Sequence, residues 1–338
     1  MRSINSDSGK NRLDVKKNKL LGLSLALLCL LASQVGASAQ PAQTQSRMLL
    51  GGAEVPVFTY SDNSVATKGV IVAVHGAARH GGTFEVLAEH LASLGYLVLS
   101  PDLRGHGQWV YAKWSTPQDK IADWDKSTDD VVNLLTEMRN QHQTLPLFCM
   151  GESAGAMVAL RAGARCPSIN GLILSSIGTS PCVHDVGKIF HDAIIGATNV
   201  NKPLDVREVL AKYSSEDDRV REEAAKDPLG RDGLSVRELI RTDWLLSRVD
   251  SYASHLPSHI PVLVMQGDED KICKASSAKG VEKHLASKEK QYETFHSGHI
   301  LLSTPFIRQD VMSAVSDWLK DKTAEQQTAL LSGATTTR

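Results

Sequence analysis

Five residues, Gly151-Glu152-Ser153-Ala154-Gly155, hold the pattern in this chain most able to do chemistry. They follow an apolar stretch, Pro146 to Met150, and open a segment of small residues, Ala154 to Ala164, with helical character. A serine on a sharp strand-to-helix turn has its hydroxyl pushed clear of the sheet, and the flanking glycines remove side chains that would collide with neighbouring backbone. The pattern alone is weak. Its place between a strand and a helix sets it above the plain alternative, a turn with a capping serine. A serine hydroxyl is a poor nucleophile until a base takes its proton. On such a turn the partners follow in the order serine, acid, histidine, so they are sought downstream.

The acid comes from the end of an apolar stretch, Val262 to Met265, which runs into Gln266-Gly267-Asp268-Glu269-Asp270. Any of these carboxylates could orient a histidine; Asp270 is preferred and Asp268 is next. The bland reading is a solvated acidic loop. The base comes from His296-Ser297-Gly298-His299, which follows a strand near Tyr292 to Phe295. His299 is preferred over His296 because Ser297-Gly298 supplies the tight turn before it. The acid would fix the tautomer of the histidine and stabilise its imidazolium.

Acyl chemistry also needs donors for a developing oxyanion. Val74-His75-Gly76-Ala77-Ala78 ends the first long apolar stretch, and small residues there let backbone N–H groups face a substrate oxygen. The backbone N–H groups of Ala77 and Ala154 are the expected pair. His75 reads better as a histidine bracing this loop than as a catalytic group. Asp102-Leu103-Arg104-Gly105-His106-Gly107 likewise reads as a braced loop rather than a catalytic one. There is no phosphate-binding Gly-Lys-Ser/Thr motif and no Gly-x-Gly-x-x-Gly, so nothing supports nucleotide use. No Cys-x-x-Cys or Cys/His spacing suits zinc, so neither a metal nor a cofactor is expected.

These residues must be placed by strands and helices. Gly69 to Val74 (GVIVAV) is continuously apolar, as for a strand covered on both faces. Phe84 to Leu94 has helical spacing closed by Gly95, and Tyr96 to Leu99 is a further strand. Val131 to Met138 reads as helix, Gly171 to Ser175 as strand, and Phe306 to Leu319 as a last helix. Met48 to Leu50 and Val55 to Phe58 flank Gly51-Gly52 as a hairpin, with Pro56 suggesting an edge strand and residues 40–46 a loose leader. Alternating strands and helices imply an α/β fold with a mostly parallel central sheet flanked by helices. The rhythm breaks over residues 181–256, which are charged and helical and read as a cap inserted between core segments 47–180 and 257–320. A polar tail, 321–338, reads as fraying.

The first 39 residues differ from the rest. Six Lys and Arg residues up to Lys19 precede an apolar run, Leu20 to Ala32, and then Ala37-Ser38-Ala39. This is the form of a secretory signal peptide cleaved after Ala39, and it implies export to a periplasmic or extracellular space. An uncleaved N-terminal membrane anchor is the alternative, although the apolar run is shorter than the ~20 residues that span a bilayer. Removing the segment takes the formal net charge of the 338-residue chain from −1 to −5. Neither that charge nor an aromatic content of 5% suits nucleic acid. Export would permit disulfides among Cys149, Cys166, Cys182 and Cys273, whose pairing the sequence leaves open; Cys149 reads as a buried small apolar residue in a strand.

Taken together, HGAARHGGTFEVLAEHLASLGYLVLSPDLRGHG (75–107), GESAG (151–155), KDPL (226–229), LPSHIPVLVMQGDEDKIC (256–273) and HSGHILL (296–302) resemble the serine aminopeptidase-like branch of the α/β-hydrolases, which includes monoacylglycerol lipases and lysophospholipases. The resemblance covers about residues 48–320. It implies Ser153 as nucleophile, Asp270 as acid, His299 as base, and Ala77 and Ala154 as oxyanion-hole residues. It also implies a lipid or other small-molecule ester as substrate, with contact to a membrane surface and oligomeric state left open. The chain departs from the usual lipase pattern at Glu152, Ala154 and Ala156, and at Ala78-Arg79, where Gly-Glu is usual. A peptidase or amidase with the same triad is the alternative enzyme, since fold does not fix substrate. A non-catalytic binding protein would be expected to lack a triad member, and every candidate member is present.

Overall fold

The computed structural model describes residues 41–179 and 199–332. An eight-stranded sheet runs β1 (Ala42–Leu50), β2 (Ala53–Ser61), β4 (Tyr96–Pro101), β3 (Gly69–Val74), β5 (Leu147–Glu152), β6 (Gly171–Ser175), β9 (Val262–Gly267), β10 (Lys290–Phe295) in spatial order. The first two pairings are antiparallel and all the others are parallel. Strand β3 shows why the sheet is covered on both sides. Its residues point alternately to opposite faces. Val70, Val72 and Val74 enter one core cluster, and Ile71 and Ala73 the other. Helices α2 (Trp124–Gln141) and α3 (Ala154–Arg165) fill the first cluster through Val131, Leu134, Leu135, Val158 and neighbours. Helices α1 (Glu85–Ser93) and α9 (Gln309–Leu331) fill the second through Leu87, Leu91, Val311 and Trp318.

Three local expectations are corrected. Residues 42–46 are not a loose leader: they pair with β2 from Ala42 opposite Ser61 onward. They are exposed and carry no alternating apolar signal, because an outermost strand can be held by its ladder alone. Pro56 is not in the edge strand either, since β1 covers β2. Its carbonyl accepts from the Asp102 N–H at 2.9 Å, on the side facing β4, where the ladder begins only at Val57. The missing proline N–H therefore falls where no acceptor needs it. Third, the C-terminal helix runs on to Leu331 rather than ending at Leu319. Lys322 and Thr323 are buried, and Thr323 meets the Tyr96 hydroxyl at 3.0 Å, so polar side chains there seal the helix against the sheet.

Between β6 and β9 the described chain forms β7 (Pro203–Asp205), α4 (Arg207–Ser214), α5 (Asp218–Lys226), β8 (Gly233–Ser235), α6 (Val236–Leu246) and α7 (Val249–Ser254). β7 and β8 pair as a two-stranded antiparallel ribbon, so the insertion is not wholly helical. Leu245, Val249, Ala253 and Leu256 pack in the first core cluster, so the last part of this stretch has rejoined the core. α6 starts on a capping box between Ser235 and Glu238. The Glu238 carboxylate also accepts the Ala122 N–H at 2.6 Å and pairs with Arg231, which ties the insertion to the core. Ile189, Phe190, Ile194, Ile195 and Cys182 lie outside the described residues.

A second tie runs through Asp227. Its carboxylate accepts from His80 Nε2 at 3.2 Å and from the Leu229 N–H at 3.0 Å, with the Arg79 guanidinium 3.6 Å away. Burial alone would raise this carboxyl. The His80 hydrogen bond, the His80 and Arg79 charges and the Leu229 N–H outweigh it and bring it from 3.8 down to about 2. A depressed carboxyl stabilises the fold above its unfolded value and loses that contribution as pH falls through the folded one. Asp227→Asn is expected to cost about 1–2 kcal/mol at pH 7, after discounting for partial solvent screening. In urea titrations from pH 7 to pH 3, the gap to wild type should narrow below about pH 4. A gap that does not change with pH would show that the carboxylate's charge is not what holds the cap.

Candidate active site

Ser153 sits between β5 and α3 with φ 56° and ψ −126°, a backbone conformation that costs a non-glycine residue free energy. The flanking glycines are needed because backbone passes so close. A Cβ on Gly155 would lie 2.2 Å from the Val74 carbonyl oxygen, and one on Gly151 would lie 2.3 Å from the Gly155 carbonyl oxygen. The turn is pinned by the Ser153 N–H donating to the Ser175 carbonyl at 2.9 Å.

The Ser153 hydroxyl meets His299 Nε2 at 2.7 Å, and His299 Nδ1 meets Asp270 Oδ2 at 2.8 Å. Asp270 can only accept there, so Nδ1 carries the proton and Nε2 is left to take one from Ser153. Burial works against the Asp270 carboxylate. The charge and hydrogen bond of His299, the Cys273 N–H at 2.7 Å and Gln266 Nε2 at 2.8 Å outweigh it, so the carboxyl sits below its usual range. It is therefore a fixed anion that orients the ring. The rival residues lie elsewhere: the His296 side chain is 74% exposed and the Asp268 side chain 52%, whereas His299 is 5% and Asp270 0% exposed. His296 instead faces Asp268 at 3.4 Å and Glu269 at 3.3 Å on the surface.

The loop around His299 is held from several directions. The N–H groups of His299 and Ile300 both donate to the Ser214 carbonyl at the end of α4, at 2.9 and 2.8 Å. The Ser176 hydroxyl donates to the His299 carbonyl at 2.6 Å. Gly298 is needed for space: a Cβ there would lie 2.6 Å from Ser215 Cα. Ala77 sits in a turn closed by the Arg79 N–H on the Gly76 carbonyl at 3.3 Å. Ala154 is the first residue of α3, where helix geometry gives its N–H no intrahelical acceptor.

His75 is a brace. Its Nδ1–H donates to the Gly76 carbonyl at 2.8 Å, its Nε2 accepts the Leu103 N–H at 3.0 Å, and burial pushes it down to about 3, so it stays neutral. His106 is also buried, with Nδ1 on the Arg104 carbonyl at 3.0 Å and its protonation strongly disfavoured by burial. Cys149 and Cys166 are buried free thiols, and Cys273 is buried. Glu152 and Arg79 are buried groups of this site whose roles are not legible from the sequence alone. The one signal for them was that both interrupt the usual lipase pattern.

A cleft open to solvent lies beside Ser153. Its walls include Ala77, Leu210, Ala211, Ala224, Ile272 and Ile300. Three arginines also reach it, and each faces an acid: Arg79 with Glu223, Arg207 with Asp232, and Arg231 with Glu238. The cleft is thus apolar with its charges compensated.

A mostly parallel sheet with a serine on the turn after β5, and with acid and histidine on loops after β9 and β10, defines an α/β-hydrolase. The family described as "Serine aminopeptidase, S33" matches residues 65–303, and the chain belongs to it, in the branch that holds the monoglyceride lipases. It is 27% identical to human monoglyceride lipase over 271 residues, covering 78% of this chain and 86% of that protein. It is 30% identical to a Bacillus subtilis phospholipase over 258 residues, covering 72% and 92%. Among solved structures, a soluble variant of the Saccharomyces cerevisiae monoglyceride lipase shares the fold with a TM-score of 0.69, at 17% identity and covering 86% and 97%.

Two glycine substitutions separate steric need from ordinary helix propensity. Gly298→Ala must displace backbone and is expected to destabilise by about 1–3 kcal/mol. Gly280→Ala, in α8 (Ala275–His284) with nothing within 4 Å of the new Cβ, should stabilise. The expected gain there is about 0.5–1 kcal/mol. Urea denaturation reads both, and equal effects at the two sites would discount the close approach of α4.

Proposed function

We propose that the protein is a serine hydrolase that cleaves carboxylic esters of single-chain lipids, of the monoacylglycerol or lysophospholipid kind, through an acyl-enzyme on Ser153. The observation that carries this reading is the Ser153–His299–Asp270 hydrogen-bond chain opening onto an apolar, charge-compensated cleft. The names of the relatives support the same class: monoglyceride lipases and a phospholipase.

The steps follow from the geometry. His299 Nε2 takes the Ser153 proton as Oγ attacks the ester carbonyl. The oxyanion that forms is met by the N–H groups of Ala77 and Ala154. Asp270 holds the imidazolium. His299 then gives the proton to the leaving alcohol, and the carbonyl returns as an acyl-Ser153 ester. Water enters, His299 takes its proton, and attack releases the fatty acid and restores the hydroxyl. Leu210, Ala211, Ile272 and Ile300 would receive the acyl chain. No step needs a metal ion or cofactor.

We also place the protein outside the cytoplasm. The basic start, the short apolar run and Ala37-Ser38-Ala39 support cleavage after residue 39. N-terminal mass analysis of the exported protein tests this, and an intact N-terminus would favour a retained anchor.

A fluorophosphonate probe should label wild-type protein at Ser153, located by mass spectrometry. Ser153→Ala should lose the label and about 10⁶-fold in kcat on monoacylglycerol. Asp270→Asn should keep the fold and lose about 10⁴-fold. Across a series of short to long acyl esters, kcat/KM should rise with chain length until the cleft is filled. A folded wild type that takes no label and cleaves no ester would overturn the reading, and preferential cleavage of aminoacyl arylamides would make it a peptidase.

A further inference from the structure

Glu152 stands directly before Ser153, buried, with its carboxylate turned to the loop that follows His299. Oε1 accepts the N–H of Leu301 at 2.7 Å and of Leu302 at 2.8 Å. Oε2 accepts the N–H of Ser303 at 3.1 Å and also the Ser303 hydroxyl. The Ser175 hydroxyl adds a contact at 3.3 Å. A buried carboxylate is tolerated when several donors meet its charge, and three consecutive backbone N–H groups do so here. Such a contact fixes the path of the loop, because the backbone itself is held.

The same loop is gripped from the other side. Arg79 Nη2 donates to the Ser303 carbonyl at 2.7 Å, and it also reaches Glu223 of α5 at 2.9 Å. Arg79 closes the turn that carries Ala77. Glu152 therefore ties the nucleophile turn to Ser303, and Arg79 ties the Ala77 turn and the cap to the same residue. Both positions are ones at which the chain departs from the lipase pattern, and the structure joins them through Ser303.

We infer that Glu152 and Arg79 form a two-sided clamp on Ser303 that sets His299 in register with Ser153 and with the Ala77 turn. They are positioning residues, and the inference rests on the reaction proposed above. Glu152 acts on His299 from its C-terminal side, while Ser214 and Ser176 hold its backbone from the cap and from β6. Without the carboxylate, the loop after His299 keeps its length but loses the anchor that fixes Nε2 against Oγ.

Glu152→Gln retains size but turns an NH₂ group toward backbone donors. Its kcat should fall about 10- to 100-fold with KM within about twofold, the scale of a misplaced catalytic group. The acid limb of its kcat/KM profile should move to lower pH, because a histidine less closely held by Asp270 loses part of what favours its protonated form. Arg79→Met should fall in the same range, and the double variant should lose less than the product of the single losses, since both act through one residue. Rates are taken at temperatures where each variant is folded by thermal melting. If Glu152→Gln does not fold, Glu152→Asp, which keeps the charge but shortens its reach to the three backbone donors, takes its place in the comparison. A variant that melts lower but keeps kcat and pH profile would make Glu152 merely structural, and strictly multiplicative losses would dissolve the clamp. Labelling of wild-type Ser153 separates the two readings. Its absence overturns the hydrolase proposal, whereas its presence with unaltered variant rates overturns the clamp alone.

Discussion

The rest of the site depends on one steric constraint, the passage of α3 against the end of β3. Gly155 brings the first turn of α3 so near the Val74 and His75 carbonyls that no side chain fits between. Ser153 keeps its positive φ because the chain on either side cannot move away. Strain of this kind, roughly 1–3 kcal/mol, persists only where surrounding structure over-determines the conformation. The apolar strands β3, β5 and β6 provide that structure, being buried along their whole lengths. What the sheet contributes is therefore rigidity at Ser153, whose hydroxyl the proposed reaction uses.

The second requirement is electrostatic. Several carboxylates are buried near the cleft, and each has partners that meet its charge. Asp270 has His299 and backbone N–H groups, Asp227 has His80 and Arg79, Glu238 has Arg231 and a cap of N–H and hydroxyl donors, and Glu152 has a run of backbone donors. Unpaired, any of these would favour the neutral form or open the fold to water. The arrangement also explains why the arginines reaching the cleft do not make it strongly cationic: their charge is already engaged by the cap's own acids.

Much of the fold could be read from the sequence because its signals are local. Alternation or continuity of apolar residues marked β3 to β6 and β9, and turn chemistry marked the serine. The elements that depart from the sequence expectation lack a local signal. The first half of β1, residues 42–46, is exposed on both faces and is defined only by pairing with β2. The continuation of α9 past Leu319 is mostly polar and exposed, and what holds it is the burial of Lys322 and Thr323, the latter against the Tyr96 hydroxyl. At the site, Ser153 followed from a motif, but the choice of Asp270 over Asp268 and of His299 over His296 rested on loop spacing and resemblance. Burial separates these pairs in space, and neighbouring residues in a sequence do not report it. Glu152 and Arg79 were visible only as departures from a pattern, because their partner, Ser303, lies more than 140 residues away from each.

The insertion is therefore part of the machinery rather than a cover over it. Ser214, at the end of α4, supplies the carbonyl to which His299 and Ile300 donate, and Ser215 packs so closely on Gly298 that only glycine fits. Residues of α4 and α5 also form walls of the cleft, among them Leu210, Ala211 and Ala224. The segment that walls the cleft is thus bonded to the backbone of His299. A shift of α4 large enough to admit a bulkier group would carry strain directly into the His299 loop. Cleft shape and histidine placement are in this way coupled through two hydrogen bonds and one glycine. Changes in the insertion should therefore be felt in the chemical step as well as in binding.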